Sequence, residues 1–480
     1  MKKLFWISII LSFFSLTQPV FASDSSLKNN KFGIHITQKE DLDQAEQLVN
    51  SNGGAWGYVT IVIQDTDKDK TKWQAFFDAC REKHLIPIVR IATHLENGVW
   101  VKPANDSLLQ WPEFLDSLNW PVKTRYVVIY NEPNQTKEWG NEVDPKHYAR
   151  ILDLAIKSFK QTNQDFFVLN AGLDQAAPNS KTTMDELNFL REMRFEVPDI
   201  FNELDGWVSH SYPNHGFVGK PWEKGRATVR GYEWELSILK NNFSLTKNLP
   251  VFITESGWPH SLGLKIKGRY GRWVTVKESF YKPEVTASYL EEVMKNVWVP
   301  DTRVIAVTPF ILNYPYYPFE NFSWLDKEGN PYPQFETVRQ IAKTKGEPEQ
   351  IEKFEVVNFS LPSFLPVNFV FKGIITLKNT GQSIWGEKKF SLKSKTENLS
   401  LSDLVLPEGV FVKPGETHIF GYTLETASAS ASNEVSWEGV ENHHLIVFEA
   451  WKLTENKDSF FNHFLRNILN FWYNFRLGRP

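Results

Sequence analysis

Tyr130-Asn131-Glu132-Pro133-Asn134 closes a β-type apolar run, Tyr126-Val127-Val128-Ile129-Tyr130. Ile253-Thr254-Glu255-Ser256-Gly257-Trp258 closes another, Pro250-Val251-Phe252-Ile253. A side chain leaving a strand at its C-terminal end is fixed by the sheet yet exposed at its rim. In a barrel of parallel strands that rim is where active sites are built. Two glutamates so placed, Glu132 and Glu255, form a candidate acid/base and nucleophile pair, the equipment for breaking a glycosidic bond.

Outward from these segments, residues from about Lys31 to Lys345 alternate strand-like runs with amphipathic helical stretches, the signature of a parallel α/β fold. The expected strands are Phe32–Ile36, Trp56–Ile63, Ile86–Ile91, Tyr126–Tyr130, Phe166–Asn170, Gly206–His210, Val251–Thr254 and Val304–Phe310. Eight is the number that a closed (β/α)8 TIM barrel requires, and about 250 residues are typical of one. Helical patterns fall at Lys39–Ser51, Pro145–Gln161, Met184–Arg194, Gly231–Asn241 and Pro283–Val297, the first after Thr37 as a plausible N-cap. A doubly wound open sheet is the rival fold. It usually shows a Gly-rich phosphate loop after its first strand, and Phe32-Gly33-Ile34-His35-Ile36 carries none.

These motifs resemble the retaining glycoside hydrolases of clan A, which include cellulases, mannanases, galactanases and xylosidases. The resemblance covers the expected barrel alone. It implies Asn-Glu at the end of strand four, here Asn131-Glu132, and a second glutamate at the end of strand seven, here Glu255. By the same resemblance Glu132 is the acid/base, Glu255 the nucleophile, and Asn131 the partner of the sugar 2-hydroxyl. His210-Ser211-Tyr212 matches a His-x-Tyr at the end of strand six, and Tyr212 is expected to donate to the nucleophile. Asn-Glu-Pro alone occurs by chance in many proteins. Its combination with Thr-Glu-Ser-Gly-Trp and His-x-Tyr, each behind a strand, is specific. The bland alternative has both glutamates capping strands or pairing with basic residues.

Other candidates keep two readings each. Arg90, at the end of Ile86-Pro-Ile-Val-Arg90, either faces the nucleophile, as the resemblance implies, or holds a structural salt bridge. His35 lines the site or is a buried structural histidine. Trp258 is a sugar platform or packs beneath its loop, and Trp139, shortly after the Asn-Glu-Pro motif, is a candidate for the leaving-group side. Trp324, in Phe319-Glu-Asn-Phe-Ser-Trp324, resembles the clan's Trp-bearing last loop, although it lies far from Phe310. Between Pro259 and Pro283, Lys265, Lys267, Arg269, Arg272, Lys277 and Lys282 alternate with Tyr270, Trp273, Phe280 and Tyr281. This segment either overhangs the substrate and favours an acidic or modified sugar, or forms a solvated hairpin.

Composition is compatible with this chemistry. The chain has 480 residues and a net charge of −4, which gives no hint of nucleic-acid binding, since that usually needs a basic face. It carries 18 Trp, 15 Tyr and 36 Phe, which suit sugar stacking, although large cores also bury aromatics. The histidines show no paired ligand spacing, so neither a metal nor another cofactor is expected. Lys2 and Lys3, an apolar run from Leu4 to about Leu16, and Val20-Phe21-Ala22 read as a secretory signal peptide over residues 1–22, with an uncleaved anchor as the alternative. The single cysteine, Cys80, lies at a helical apolar position and reads as an inert core thiol.

After Lys345 a polar linker, Gly346-Glu-Pro-Glu-Gln-Ile-Glu, leads into alternating strands over residues 354–453, expected at Phe369–Leu377, Phe390–Lys393, Phe411–Val412, Thr417–Leu424 and Leu445–Trp451. With turns at Asn379-Thr-Gly and Lys413-Pro-Gly this reads as an immunoglobulin-like β-sandwich, a spacer or a carbohydrate-binding module. Residues 459–480 form an amphipathic pattern, with Phe460, Phe464, Ile468 and Trp472 on one face and Arg466, Arg476 and Arg479 supplying charge. Such a helix would lie in the interface of an anionic membrane or pack onto a neighbouring domain. The expectation is a secreted or extracytoplasmic monomeric glycosidase that acts on carbohydrate, membrane-associated if that helix is an anchor. A transglycosylase of the same mechanism and a non-catalytic carbohydrate-binding envelope protein are the alternatives.

Overall fold

The computed structural model describes residues 28–446, apart from 264, 268–272, 276–278, 363–364, 366–367, 396–398, 427–434 and 440–444. The expected signal peptide at 1–22, the helix at 459–480 and most of Leu445–Trp451 lie outside the described residues.

Eight parallel strands form the first domain: β1 (Gly33–His35), β2 (Gly57–Gln64), β3 (Leu85–Ala92), β4 (Arg125–Ile129), β5 (Phe166–Leu169), β6 (Trp207–His210), β7 (Val251–Glu255) and β8 (Val304–Val307). β1 to β5 pair in sequence order as one sheet, and β6 to β8 as another. Isolated parallel bridges join Leu169 to Gly206 and Phe32 to Val307, so β5 meets β6 and β8 meets β1. Helices connect the strands, and several start on aspartate caps. The Asp69 side chain accepts from the Thr71 and Lys72 amides at the head of Lys70–Glu82, and Asp144 accepts from His147 at the head of Pro145–Thr162. Thr37 is not a cap. Its amide and hydroxyl both donate to the Asp41 carboxylate, and Gln38 precedes the first turn without a side-chain bond.

Strand alternation divides the apolar residues between two cores. Tyr58, Ile86, Ile88, Val128, Leu169, Val208, Phe252 and Ala306 pack together inside the ring of strands. Their neighbours Val59, Ile61, Val89, Val127, Ile129, Val251 and Ile253 pack outward against the helices. Cys80 belongs to this outer core, where burial pushes its thiol pKa up and keeps it protonated.

The second domain comprises β9 (Phe354–Phe359), β10 (Val370–Asn379), β11 (Ser391–Lys395), β12 (Leu399–Leu401), β13 (Leu404–Val405), β14 (Thr417–Thr426), β15 (Ser436–Gly439) and β16 (Leu445–Ile446). They form two four-stranded antiparallel sheets, ordered β9-β10-β14-β12 and β13-β11-β15-β16, around Ile375, Leu377, Trp385, Leu392, Phe420, Leu424 and Trp437. Phe411–Val412 is no strand: Val412 makes an isolated bridge to Trp385, and Phe411 is exposed. The polar linker is fastened rather than loose. The Gly346 amide donates to the Ala55 carbonyl, the Lys123 amide to Glu349, and the Gln350 side chain to the Pro121 carbonyl. The Asn119 and Gln382 amides cross between the domains, to the Gly381 and Val122 carbonyls. Asn119 to Lys123 lead into β4, so the second domain sits against the N-terminal ends of the strands.

Candidate active site

Alternation along β7 puts Phe252 and Thr254 inward and would send Glu255 outward. A bulge corrects this. Ser209 of β6 pairs with Ile253, but His210 pairs with Glu255, so β7 holds one residue more than its partner. The extra residue turns Glu255 to the inside, a known use of bulges beside functional sites. On β4 a left-handed backbone does the same work. Tyr130 has φ 69° and Glu132 φ 29°, conformations that cost a non-glycine residue energy and cluster at functional sites. The Tyr130 ring is thereby packed outward against Trp139, while Asn131 and Glu132 stand at the strand end.

The side chains that converge there form a connected polar network. Arg90 Nη1 donates to Glu255 Oε1 at 2.6 Å and to Asn131 Oδ1 at 2.6 Å. The Tyr212 hydroxyl donates to Glu255 Oε2 at 3.2 Å. His210 Nδ1 lies 2.9 Å from Glu132 Oε1 and 3.9 Å from Glu255 Oε2. Gln135 Nε2 donates to Glu132 Oε2 at 2.8 Å. A carboxylate oxygen of Glu132, one of Glu255 and a His210 ring nitrogen all lie within 4.8 Å of one another.

This environment drives the two glutamates apart in acidity. Burial would raise Glu255, but the charges of His210 and Arg90 overcome it and hold its pKa down at about 2. His35 also favours the Glu255 anion when charged. Burial and Arg90 lower the His35 pKa to about 3, however, so at neutral pH His35 is uncharged and adds nothing to this. Glu132 goes the other way: burial raises its pKa, and the charges of Glu255 and Asp174 add to that against the opposing His210 contact. The Tyr212 pKa is raised, first by burial and then by Glu255, so its hydroxyl stays a donor. Among the described residues, Glu132, His210 and Glu255 are the one group with metal-ligand spacing. A dication there would compete with the Arg90 guanidinium already on Glu255.

Asn131, Glu132, His210, Tyr212, Glu255 and Arg90 thus share one network. His35 abuts it, buried, with neither ring nitrogen hydrogen-bonded to another side chain and its ring 5.2 Å from that of Phe310. Two expected residues are not there. Trp258 is only 3% exposed: its indole N–H is spent on the Gly219 carbonyl and its ring packs on Tyr289. Trp324, also 3% exposed, lies in the outer core, its amide bonded to Ile311 and Leu312. Neither ring offers a face to a sugar, because each belongs to a layer beneath the rim. Trp139 is likewise buried, among Tyr130, His147 and Tyr148. In the basic segment, Lys265–Lys267 pairs with Trp273–Thr275 as a hairpin, and Arg269, Arg272 and Lys277 lie outside the described residues.

The structure adds residues that sequence reading missed. Glu138 Oε2 accepts from Asn131 Nδ2 at 3.2 Å, and burial, then the Glu132 charge, lifts its pKa to about 7. Gly172 is required by close approach: a Cβ there would sit 2.1 Å from the His210 ring, while its carbonyl accepts the Glu132 amide. Phe310 follows β8, its amide donating to the Ser256 carbonyl and its ring 5.2 Å from that of His35. Only Phe310 carried a sequence signal, as the last residue of the eighth expected strand.

No family model matches the chain, and no curated protein matches it. Among solved structures it is similar to a monomeric β-xylosidase from Caulobacter crescentus CB15, with 12% identity, 84% of this chain and 98% of that one covered, and a TM-score of 0.45. It is similar to a glucosidase from Croceicoccus marinus (9% identity, 84% and 98%, TM-score 0.46) and to an endo-β-1,4-glucanase from Xanthomonas axonopodis pv. citri (10% identity, 65% and 98%, TM-score 0.43). All three neighbours are glycosidases. At these scores the likeness bears no weight for the chemistry, which is read from the network itself.

Proposed function

We propose that this protein is a retaining glycoside hydrolase that cleaves β-linked oligo- or polysaccharide, with Glu255 as nucleophile and Glu132 as acid/base. The observation that carries this reading is the approach of their carboxylate oxygens to within 4.8 Å. Retaining enzymes keep the two groups about 5–5.5 Å apart, whereas inverting ones need about 6.5–9.5 Å to admit a water. The preference for β-linkages rests on the resemblance of the Asn131-Glu132 segment. A closed (β/α)8 barrel over residues 31–345 is the scaffold we infer, supported by the Leu169–Gly206 and Phe32–Val307 bridges. The same reading includes an immunoglobulin-like module over 354–453 and, from the signal-peptide pattern at 1–22, a location outside the cytoplasm.

In the first step a Glu255 oxygen attacks the anomeric carbon while Glu132 gives its proton to the departing glycosidic oxygen. The C–O bond breaks and a glycosyl ester forms on Glu255. The Glu255 charge is then gone, which lowers the Glu132 pKa and suits it to deprotonate the incoming water. Water attacks the ester, Glu132 takes its proton, and Glu255 is released as the anion. Arg90 and Tyr212 hold the nucleophile ionised and aimed. Asn131, clamped by Arg90, meets the 2-hydroxyl.

Activity should fall on the alkaline side as Glu132 loses its proton, and on the acid side as Glu255 gains one near pH 2. The decisive test is small-anion rescue on aryl β-glycosides. Azide filling the cavity of Glu255→Ala should give the glycosyl azide of inverted configuration. Azide with Glu132→Ala should intercept the ester on Glu255 and give the retained one. Identical products from both variants would overturn the assignment, as would turnover surviving Glu255→Gln.

A further inference from the structure

The turn after β8 exposes aromatic rings beside the site that the two-glutamate chemistry does not use. Tyr316 is 63% exposed, Tyr317 87% and Phe319 41%. Single exposed apolar residues are ordinary, but a cluster at a rim marks a ligand groove. Phe319 ties this turn to the site, and the Tyr316 carbonyl accepts the Phe319 amide. Phe310 lies 5.2 Å from the His35 ring and 5.2 Å from Phe319, which is 5.6 Å from Tyr314. Phe322 links Phe310, at 6.0 Å, to Tyr212, also at 6.0 Å.

We propose that Tyr316, Tyr317 and Phe319 form an aromatic shelf that binds the second and third sugar residues of the glycone, outward from the sugar that Glu255 attacks. This deepens the glycosidase reading and rests on it. The direction follows from the partners that the two carboxylates do not share: the relay of rings starts at Tyr212 and His35, which bear on Glu255, while Gln135 donates to Glu132, and His210 reaches both. The leaving group belongs to Glu132. A ring system on the Glu255 side therefore faces the part of the substrate that stays bound in the glycosyl-enzyme. Sugar rings present flat C–H faces that stack on such surfaces, and the tyrosine hydroxyls can bond their rims. The shelf is also preorganised. Pro315 and Pro318 fix φ on either side of the tyrosine pair, Tyr316 O accepts the Phe319 amide at 3.0 Å, and Phe319 O accepts that of Phe322 at 2.9 Å.

The test uses the full chain and p-nitrophenyl β-glycosides whose glycone has one, two or three β-1,4-linked glucose, xylose, mannose or galactose residues. Wild-type kcat/KM should rise with glycone length. In the triple variant Tyr316→Ser, Tyr317→Ser, Phe319→Ser the three-to-one ratio should collapse, by roughly two- to tenfold per ring lost. Tyr317→Trp should keep it, and an unchanged melting temperature would exclude misfolding. A flat wild-type length series, or a ratio that survives the triple variant, overturns the shelf and leaves the glycosidase standing. A change in mass by light scattering with the ratio intact would make the surface an interface between copies instead. A wild type inert on every glycoside, with no azide product from either alanine variant, overturns the glycosidase reading and the shelf with it.

Discussion

Asn131 is held from both sides, its carbonyl oxygen by Arg90 and its amide nitrogen by Glu138, so its orientation in the site is fixed before any sugar arrives. Glu138→Ala should release that clamp and lower kcat/KM roughly tenfold, the worth of one buried hydrogen bond to a charged group. Glu138→Gln keeps an acceptor for Asn131 but removes a negative charge near Glu132. The alkaline limb of the pH–rate profile should therefore move to lower pH in this variant, with kcat at the optimum little changed. A limb that stays in place would show that Glu138 does not sense Glu132. Gly172→Ala makes the complementary point, since its methyl group would displace the His210 ring. The expected cost is about 1–3 kcal/mol of stability together with most of the activity, read by thermal melting and steady-state kinetics. These two residues were not legible in the sequence, whereas Asn131, Glu132, Arg90, His210, Tyr212 and Glu255 were. The latter ride on strand ends, where period-two alternation and position suffice. Glu138 comes from a short turn and Gly172 follows a strand end only as a neighbour of a ring 38 positions away, so their roles exist only once the chain is folded. Trp258 and Trp324 failed in the opposite sense, because a sequence shows that an indole is near the rim but not whether its face or its edge is outermost.

Among elements, the first seven strands of the first domain were legible to within a residue because their apolar runs end abruptly. The eighth stops at Val307, three residues before the expected Phe310, and in the second domain Phe354–Phe359, Leu399–Leu401, Leu404–Val405 and Ser436–Gly439 were not foreseen. What pattern reading missed was the bulge in β7, where one added residue reverses the direction of the nucleophile. The helices hide a second carboxyl pair. Glu186, in Glu186–Glu196, and Glu235, in Gly231–Asn242, are both fully buried and close enough to act on one another. Burial, then Glu235, raises the Glu186 pKa well above the usual range, and burial raises that of Glu235, so the pair retains protons that the unfolded chain would lose. A raised carboxyl contributes fully below the unfolded value near 4.5, and its contribution declines as pH rises from there toward the folded pKa. Glu186→Gln should therefore raise the melting temperature at pH 8 relative to wild type while leaving it nearly unchanged at pH 4. A gain equal at both pH values would refute the shared-proton account.

For the molecule as a whole, side-chain amides bridge the two domains. Gln382 illustrates this: its Nε2 donates to the Val122 carbonyl and its Oε1 accepts the Ile351 amide, while Asn119 donates back to Gly381. Replacing both Asn119 and Gln382 by alanine should cost about 1–3 kcal/mol at each position, seen as earlier proteolytic cleavage near residues 346–353, with turnover of aryl glycosides intact. Loss of turnover would mean that the sandwich supports the site directly. The linker, Gly-Glu-Pro-Glu, was legible as polar but its attachment was not, because polar side chains are visible in a sequence while the carbonyls that receive them are not. The docking also sets a direction for the molecule. Both glutamates stand at the C-terminal ends of the strands, and the sandwich meets the N-terminal ends near Asn119 to Lys123, so tethering the protein to a bead through its C-terminal half should leave turnover of a soluble aryl glycoside unchanged.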